Sequence, residues 1–362
     1  MRVLFLPRYG PLAGSSRYMT YDYLPFFEKE GIECTVNPFL DDFYLALSRK
    51  PSGEWGKSVK LKMYVLWRLL MRFLYILTAK RYDVIVLEKD VVPYLPYGFE
   101  ALLYFFNHNV IVMYDERTDV SYARHKRSFI RKLSAGKIKR IIINAAHIIV
   151  WNPTVLRFAK RYNKSVTELS TGIDLDRYKI KDSYSISNRS IRIGWIGSPS
   201  GYGYVKDIEP ALEKLSSIYD IELHIISSDP YTSDVVKVVN HSWSVETEAK
   251  DLRSMDIGIM PLPNTKWAAG KSGCKMFQYM AVGLPVVVSP VGINGQVVKD
   301  GVNGLLAQTT EEWFHQLAKL IDDEELRRRL GEEGRKYVEE HNSLTANAEK
   351  FAHILREVAK SK

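Results

Sequence analysis

GKSGCKMFQYMAVGLPVVVSPVG, Gly270 to Gly292, sets a glycine loop, a short helical pattern and a run of valines in immediate succession. The helical pattern, roughly Lys275 to Val282, points unpaired N–H groups and a positive dipole end back at the loop. Gly273 has no side chain to keep a ligand away. Lys271 and Lys275 add cationic heads at the same place. Gly283 ends the helix, Pro285 prevents its continuation, and Val286, Val287 and Val288 read as a strand covered on both faces. The stretch therefore reads either as a pocket for a phosphate-bearing ligand or as a plain βα turn whose glycines serve packing.

Outward from this stretch, the chain is a series of such units. RVLFLP (Arg2 to Pro7) is an opening strand, RYGPLAGSSRY a glycine-containing loop, and Met19 to Glu30 has helical spacing closed by Gly31. Further strands are expected at IECTV, at Asp83 to Glu88, Asn109 to Asp115 and His147 to Asn152. The pattern restarts at SIRIGWIGSP (Ser190 to Pro199), with a loop GSPSGYGY and a helix from about Lys206 to Tyr219. Then come IELHIIS, DIGIMPL, PVVVSP and NGLLAQ. Strands alternating with helices predict an α/β fold of two doubly wound parallel sheets, Rossmann-like, facing a cleft. The polar stretch Lys179 to Ser190 suits a linker, which divides the chain into domains 1–180 and 181–343. The sequence leaves open whether the amphipathic C-terminal segment, 344–362, joins the first of them.

The length of 362 residues, with 46% hydrophobic and 12% aromatic residues, is enough for two sizeable cores. Two cysteines, Cys34 and Cys274, build neither a disulfide framework nor a cysteine zinc site, and a reducing cytoplasmic setting is expected. Met1 to Pro7 runs straight into a strand with no signal-peptide pattern. The most apolar stretch, LWRLLMRFLYIL, is interrupted by Arg68 and Arg72 and is too short to span a bilayer.

The net charge of +9 is unevenly shared, with 29 Lys/Arg against 17 Asp/Glu in residues 1–180 and 22 against 25 beyond. Lys57 to Arg81 holds seven basic residues and no acid among long apolar side chains; Arg124 to Arg140 holds eight and no acid. The first segment has the pattern of a helix lying in a membrane interface, with Tyr64, Trp67, Phe73 and Tyr75 at the headgroup boundary. An ordinary half-buried domain helix has the same pattern. A nucleic-acid partner is not expected, because no recognised motif accompanies the charge.

These segments together resemble the GT-B glycosyltransferases, and within them glycosyltransferase family 4, whose members are retaining and use nucleotide sugars. The resemblance rests on the first strand with Gly10, Gly14, Ser15, Ser16 and Arg17, on AAHIIVWNPTVLRFAKRY with STGIDLDRY, and on IGWIGSPS. HSWSVETEAKDLRSMDIGIMPL and the stretch Gly270 to Leu306 complete it. It implies a donor site in the second domain, formed by Gly197, Ser198, Gly270, Lys271, Gly273 and Gln278, with Trp243, Ser244 and Glu246 near the nucleotide base; Trp243 reads equally as a core aromatic, and Glu246 and Glu248 as helix-start carboxylates with no ligand. Lys206 and Lys275 are implied as the cations on the diphosphate. The loop at Gly14 and Ser15 is expected to close over the same group.

The chain departs from the family where a pair of glutamates is usual, since Gly270 and Gln278 stand there. Where many relatives carry a histidine after the fourth strand it has Tyr114, followed by Asp115. Asp115 or Asp119 is the candidate group for the acceptor hydroxyl, and a helix cap is the other reading of Asp115. The string Asp174-Leu175-Asp176 reads as a turn rather than a metal site, and no metal or other cofactor is expected beyond a UDP- or GDP-type donor. The resemblance implies transfer of a hexosyl-type group to a glycan or lipid-linked acceptor. The enzyme would lie peripherally on the inner face of the cell membrane, held through Lys57 to Arg81 and Arg124 to Arg140. A catalytically inactive GT-B protein acting as a regulator, and a sugar-nucleotide epimerase on the same fold, are the alternatives.

Overall fold

The computed structural model describes residues 1–49, 55–186 and 189–360, with side chains from 48 to 58 excluded. Lys57, part of the predicted linker (187–188) and the last two residues of the C-terminal segment (361–362) therefore fall wholly or partly outside the described set. The chain divides into two compact units, Met1–Ser170 with Thr345–Lys362, and Thr171–Leu344.

The first unit holds β1 (Arg2–Leu6), β2 (Glu33–Val36), β3 (Val84–Glu88), β4 (Val110–Tyr114), β5 (His147–Val150) and β6 (Val166–Glu168). They form one parallel sheet in the order β2-β1-β3-β4-β5-β6. Helices on both faces explain why β3 and β4 read as unbroken apolar runs, for every residue in them is buried. The expected helix Met19 to Glu30 is instead two short helices, Gly14–Met19 and Leu24–Lys29, joined by a 3₁₀ turn at Tyr21–Tyr23. Pro25, at the start of the second, suits a new helix start better than a helix interior.

The second unit holds β7 (Ile191–Ile196), β8 (Ile221–Ser227), β9 (Lys237–Ser242), β10 (Ile257–Met260), β11 (Val286–Val288) and β12 (Leu305–Leu306). Its sheet is also wholly parallel, ordered β12-β11-β10-β7-β8-β9. The short β6 and the largely polar β9 were not legible as strands.

The C-terminal helix, Leu344–Lys360, belongs to the first unit. Phe351 meets Phe5, Tyr23 and Phe27 edge-on at ring-centre distances of 6.5, 5.5 and 5.2 Å. Burying one such ring stabilises by roughly 2–3 kcal/mol. The boundary falls at residue 170 rather than 180. Ile173 pairs its backbone with Asn342 and Leu344, and Tyr178, only 1% exposed, packs within the second unit. Among the described residues no helix is long and apolar enough to cross a membrane.

Candidate functional site

In the second sheet, β8 and β9 run outward from β7 on one side and β11 and β12 outward from β10 on the other. Loops leaving β7 and β10 therefore turn apart, and the crevice this leaves at the carboxyl ends of the strands is where doubly wound sheets take ligands. The chain after β7 is a 3₁₀ turn, Pro199–Gly201, running into the short helix Tyr202–Lys206. A Cβ on Gly197 would collide with Lys275 Nζ and lie 2.6 Å from the Trp195 ring, so only glycine lets the loop approach.

Lys275 stands in the first turn of the helix Cys274–Ala281. Gly273, its N-cap, has φ +72° and supplies no capping side chain to the start of this helix. A side chain at Gly273 would be strained by that φ and would press on Ile293. Lys275 Nζ lies 4.0 Å from the centre of the Trp195 ring. It has neither a carboxylate partner nor a hydrogen bond among the described residues. Burial, with Lys271 nearby, pushes its pKa down to about 7. Lys271 lies over Trp267 and Tyr204 at 5.2 and 5.9 Å. Asn294, fully buried beside Ile293, has no hydrogen-bond partner for either side-chain atom. An uncapped helix start and an ammonium with no carboxylate partner among the described residues thus meet at one loop, and a diphosphate would satisfy both.

The structure relocates several expected site residues. Lys206 does not begin a helix; it ends the short one and is exposed, because the helix starts at Tyr202 straight after the 3₁₀ turn. Gly270 closes the turn Ala268–Gly270, its N–H donating to Trp267 O at 3.0 Å. Ser198 is exposed and its hydroxyl pairs with that of Ser200. Ser244 Oγ accepts from Thr247 N at 3.2 Å, a local turn, and Glu246 is exposed. Asp174 Oδ1 accepts from Asp176 N at 3.0 Å, which is turn chemistry.

Gln278 and Trp243 meet through a residue outside the expected set. Glu248 is completely buried; its Oε1 accepts from Tyr178 Oη at 2.7 Å and from Arg177, its Oε2 from Trp243 Nε1 at 2.6 Å. Gln278 Nε2 donates to Tyr178 Oη at 2.8 Å. Glu248 therefore fixes both the Trp243 indole and the Gln278 amide. Glu248 opens the helix Glu248–Arg253.

In the first sheet the corresponding crevice lies between β1 and β3. Glu88 ends β3, Lys89 and Asp90 follow it, and all three are buried. Glu88 Oε2 accepts from Ser16 Oγ at 2.7 Å and from Arg8 N at 3.1 Å, anchoring the helix that begins at Gly14 and Ser15. A Cβ on Gly14 would meet open space, so the loop itself does not require glycine there. Asp90 bonds Arg8 at 2.6 Å, Lys137 at 2.9 Å and Tyr122 Oη at 2.6 Å, and this company pulls it down to about 2 against the cost of burial. Lys137 also meets Glu100 at 3.1 Å. Lys89, at φ +65°, reaches Asp115 at 2.9 Å and Glu116 at 3.0 Å. Asp115 is thus paired with a cation, Asp119 is held by both forks of Arg117 at 2.7 Å, and Tyr114 is a core residue. The consecutive charges Glu88-Lys89-Asp90 at a strand end were the available signal for this cluster.

The two basic segments also change. Arg68 and Arg72 face inward, Arg72 donating to Pro7 O and Asn37 O at 2.9 and 2.8 Å, and Lys137 is buried. Most of the other basic residues from Arg124 to Arg140 are exposed.

Comparison with known proteins agrees with this architecture. Residues 237–337 match the family described as Glycosyl transferases group 1. An uncharacterized glycosyltransferase of Methanocaldococcus jannaschii is 42% identical over 60 residues, a segment that spans 16% of this chain and 17% of that relative. Solved structures that share the fold include two that align over nearly the whole chain. Anabaena HepE, in complex with UDP and glucose, aligns with a TM-score of 0.70 at 15% identity over 99% of this chain and 100% of that one. Sucrose-phosphate synthase from Thermosynechococcus elongatus aligns with a TM-score of 0.70 at 15% identity over 100% of both. The fold class is α/β of the GT-B type.

Proposed function

We propose that this protein is a glycosyltransferase that takes a sugar from a nucleoside-diphosphate donor held in the second unit. The observation that carries the reading is the unpaired Lys275 ammonium against Trp195 and Gly197, beside the uncapped start of the helix Cys274–Ala281. It lies within the segment that matches the group 1 glycosyltransferases. HepE, the first of the structural relatives, binds UDP and glucose, which supports a UDP-type donor, with GDP as the alternative base.

In this reading Lys275, Lys271 and the N–H groups following Gly273 hold the diphosphate and stabilise it as it departs. Fixed positive charge in a partly dry site is worth several kcal/mol of transition-state stabilisation, the electrostatic work a divalent cation performs elsewhere. Transfer therefore proceeds without a metal. Asn294 bonds the diphosphate or the sugar, and Gln278, steadied through Tyr178 and Glu248, faces the ribose. Trp243 packs on the base. Lys206, exposed at a helix end, is left with the weaker task of attracting the anion.

Retention of anomeric configuration follows from the resemblance to family 4. In the first unit Asp115, oriented by Lys89, receives the acceptor hydroxyl. The acceptor is a glycan or lipid-linked glycan at a membrane surface, in keeping with the exposed cations from Arg124 to Arg140.

The test is turnover with UDP-, GDP- and ADP-sugars and a lipid-linked glycan acceptor in the presence of EDTA. One nucleoside diphosphate should be released, and proton NMR of the product should show the donor's anomeric configuration. Release that requires added divalent metal would refute the electrostatic account, and an inverted product would refute retention.

A further inference from the structure

The helix Trp55–Leu77 is turned inside out. Its polar side chains Arg68 and Arg72 point into the protein, 7% and 0% exposed, where they bond Phe39 O, Pro7 O and Asn37 O. Val65, Leu69 and Ile76 pack on the core beside them. The outward face is apolar: Val59, Met63, Leu66, Leu70, Phe73 and Leu77, with Met63, Leu66 and Leu70 at 62%, 59% and 55% exposure. Their spacings alternate between four and three residues, so they form one stripe along the whole described helix. From Met63 to Leu77 no exposed residue carries a charge. A helix that is apolar outside and tethered inside needs a cover.

The geometry points to an anionic lipid surface as that cover. Exposed Lys60 and Lys62 stand at one end of the stripe and exposed Lys80 and Arg81 at the other, with no acid between residues 57 and 81. A second copy would set cations against cations in either orientation, whereas an anionic bilayer complements both ends at once. Trp67 and Tyr64, with rings 5.5 Å apart, supply the aromatic pair that suits the headgroup boundary. The buried guanidinium bonds hold the helix flat on its own sheet, so it lies in the interface with its apolar stripe in the acyl region. This replaces docking through the arginines of the segment with docking through its leucines. The proposal rests on the glycosyltransferase reading only for why a lipid surface matters.

Flotation of the full chain with phosphatidylcholine vesicles, with and without phosphatidylglycerol, tests it. The wild type should float with the anionic vesicles, more weakly with the neutral ones, and should retain part of its binding at high salt. Leu66→Ser/Leu70→Ser/Leu77→Ser should lower vesicle binding at least tenfold, and the milder Met63→Ala/Leu66→Ala should lower it less, both with an unchanged melting temperature. No flotation of the wild type, or full flotation of the triple variant, would overturn the proposal. So would a wild-type dimer, by light scattering, that becomes monomeric in the triple variant. Donor binding by the same variants is read separately by thermal shift, so failure of the docking face and failure of the transferase reading are distinguishable.

Discussion

Lys275 Nζ sits 4.0 Å from the centre of the Trp195 ring, an ammonium facing an aromatic ring with no carboxylate partner among the described residues. A cation–π contact alone is worth about 0.5–2 kcal/mol, less than the cost of taking an ammonium out of water. The site is therefore under-satisfied when empty, and an anionic ligand relieves it. Lys275→Met should weaken binding of the sugar nucleotide about 10- to 100-fold, the worth of one charge-assisted contact. Its melting temperature without ligand should be unchanged or higher. Calorimetry and a thermal melt check both halves.

The pKa of Lys275, held down to about 7 by burial and by Lys271, gives the site a pH signature. Between that value and the ordinary lysine range near ~10.4 the unfolded chain carries a proton that the folded, empty protein lacks, so ligand-free stability rises with pH across this window. A bound diphosphate restores the charge, so binding takes up close to one proton near pH 8. Affinity should fall about tenfold per pH unit above 7. Calorimetry in buffers of different ionisation enthalpy measures the uptake, and Lys275→Met should abolish it.

Gly197→Ala tests the close approach without removing a charge. The added methyl collides with Lys275 Nζ and the Trp195 ring, so the lysine must be displaced from its place in the loop. Donor affinity should drop roughly tenfold or more, with a stability loss of about 1–3 kcal/mol from overpacking. A variant that binds donor like wild type would show that the loop does not shape the site.

The buried ions of the first unit carry a separate prediction. Lys137→Met leaves Asp90 and Glu100 without their shared cation and should cost about 3–5 kcal/mol. Burial raises Glu100 to about 7 despite Lys137. The folded protein then keeps a proton between pH about 4.5 and 7 that the unfolded chain has released, so stability falls as pH rises through that window. Glu100→Gln should flatten this part of the pH profile in urea titrations.

The two alternations of strand and helix were plain from the sequence because buried parallel strands are continuous apolar runs, as in Val286 to Val288 and Ile111 to Met113. The anion loop was plain too, since glycine, helix start and lysines are adjacent in the chain. What stayed hidden depended on direction. Arg68 and Leu70 share one helical pattern, and periodicity alone cannot tell which face turns inward. Lys206 was set at a helix start because the 3₁₀ turn at Pro199–Gly201 has no signal distinct from a loop. Glu248 joins Tyr178, Trp243 and Gln278 from separate segments of the chain, a relation set by the sheet order.

The most direct test of the account is a thermal shift of the wild-type protein against UDP-, GDP- and ADP-sugars in EDTA. The account predicts that sugars of one base raise the melting temperature by several degrees and that Lys275→Met abolishes most of the rise. A protein whose melting temperature responds to none of them, or responds equally in the Lys275→Met variant, would contradict a donor site at this loop.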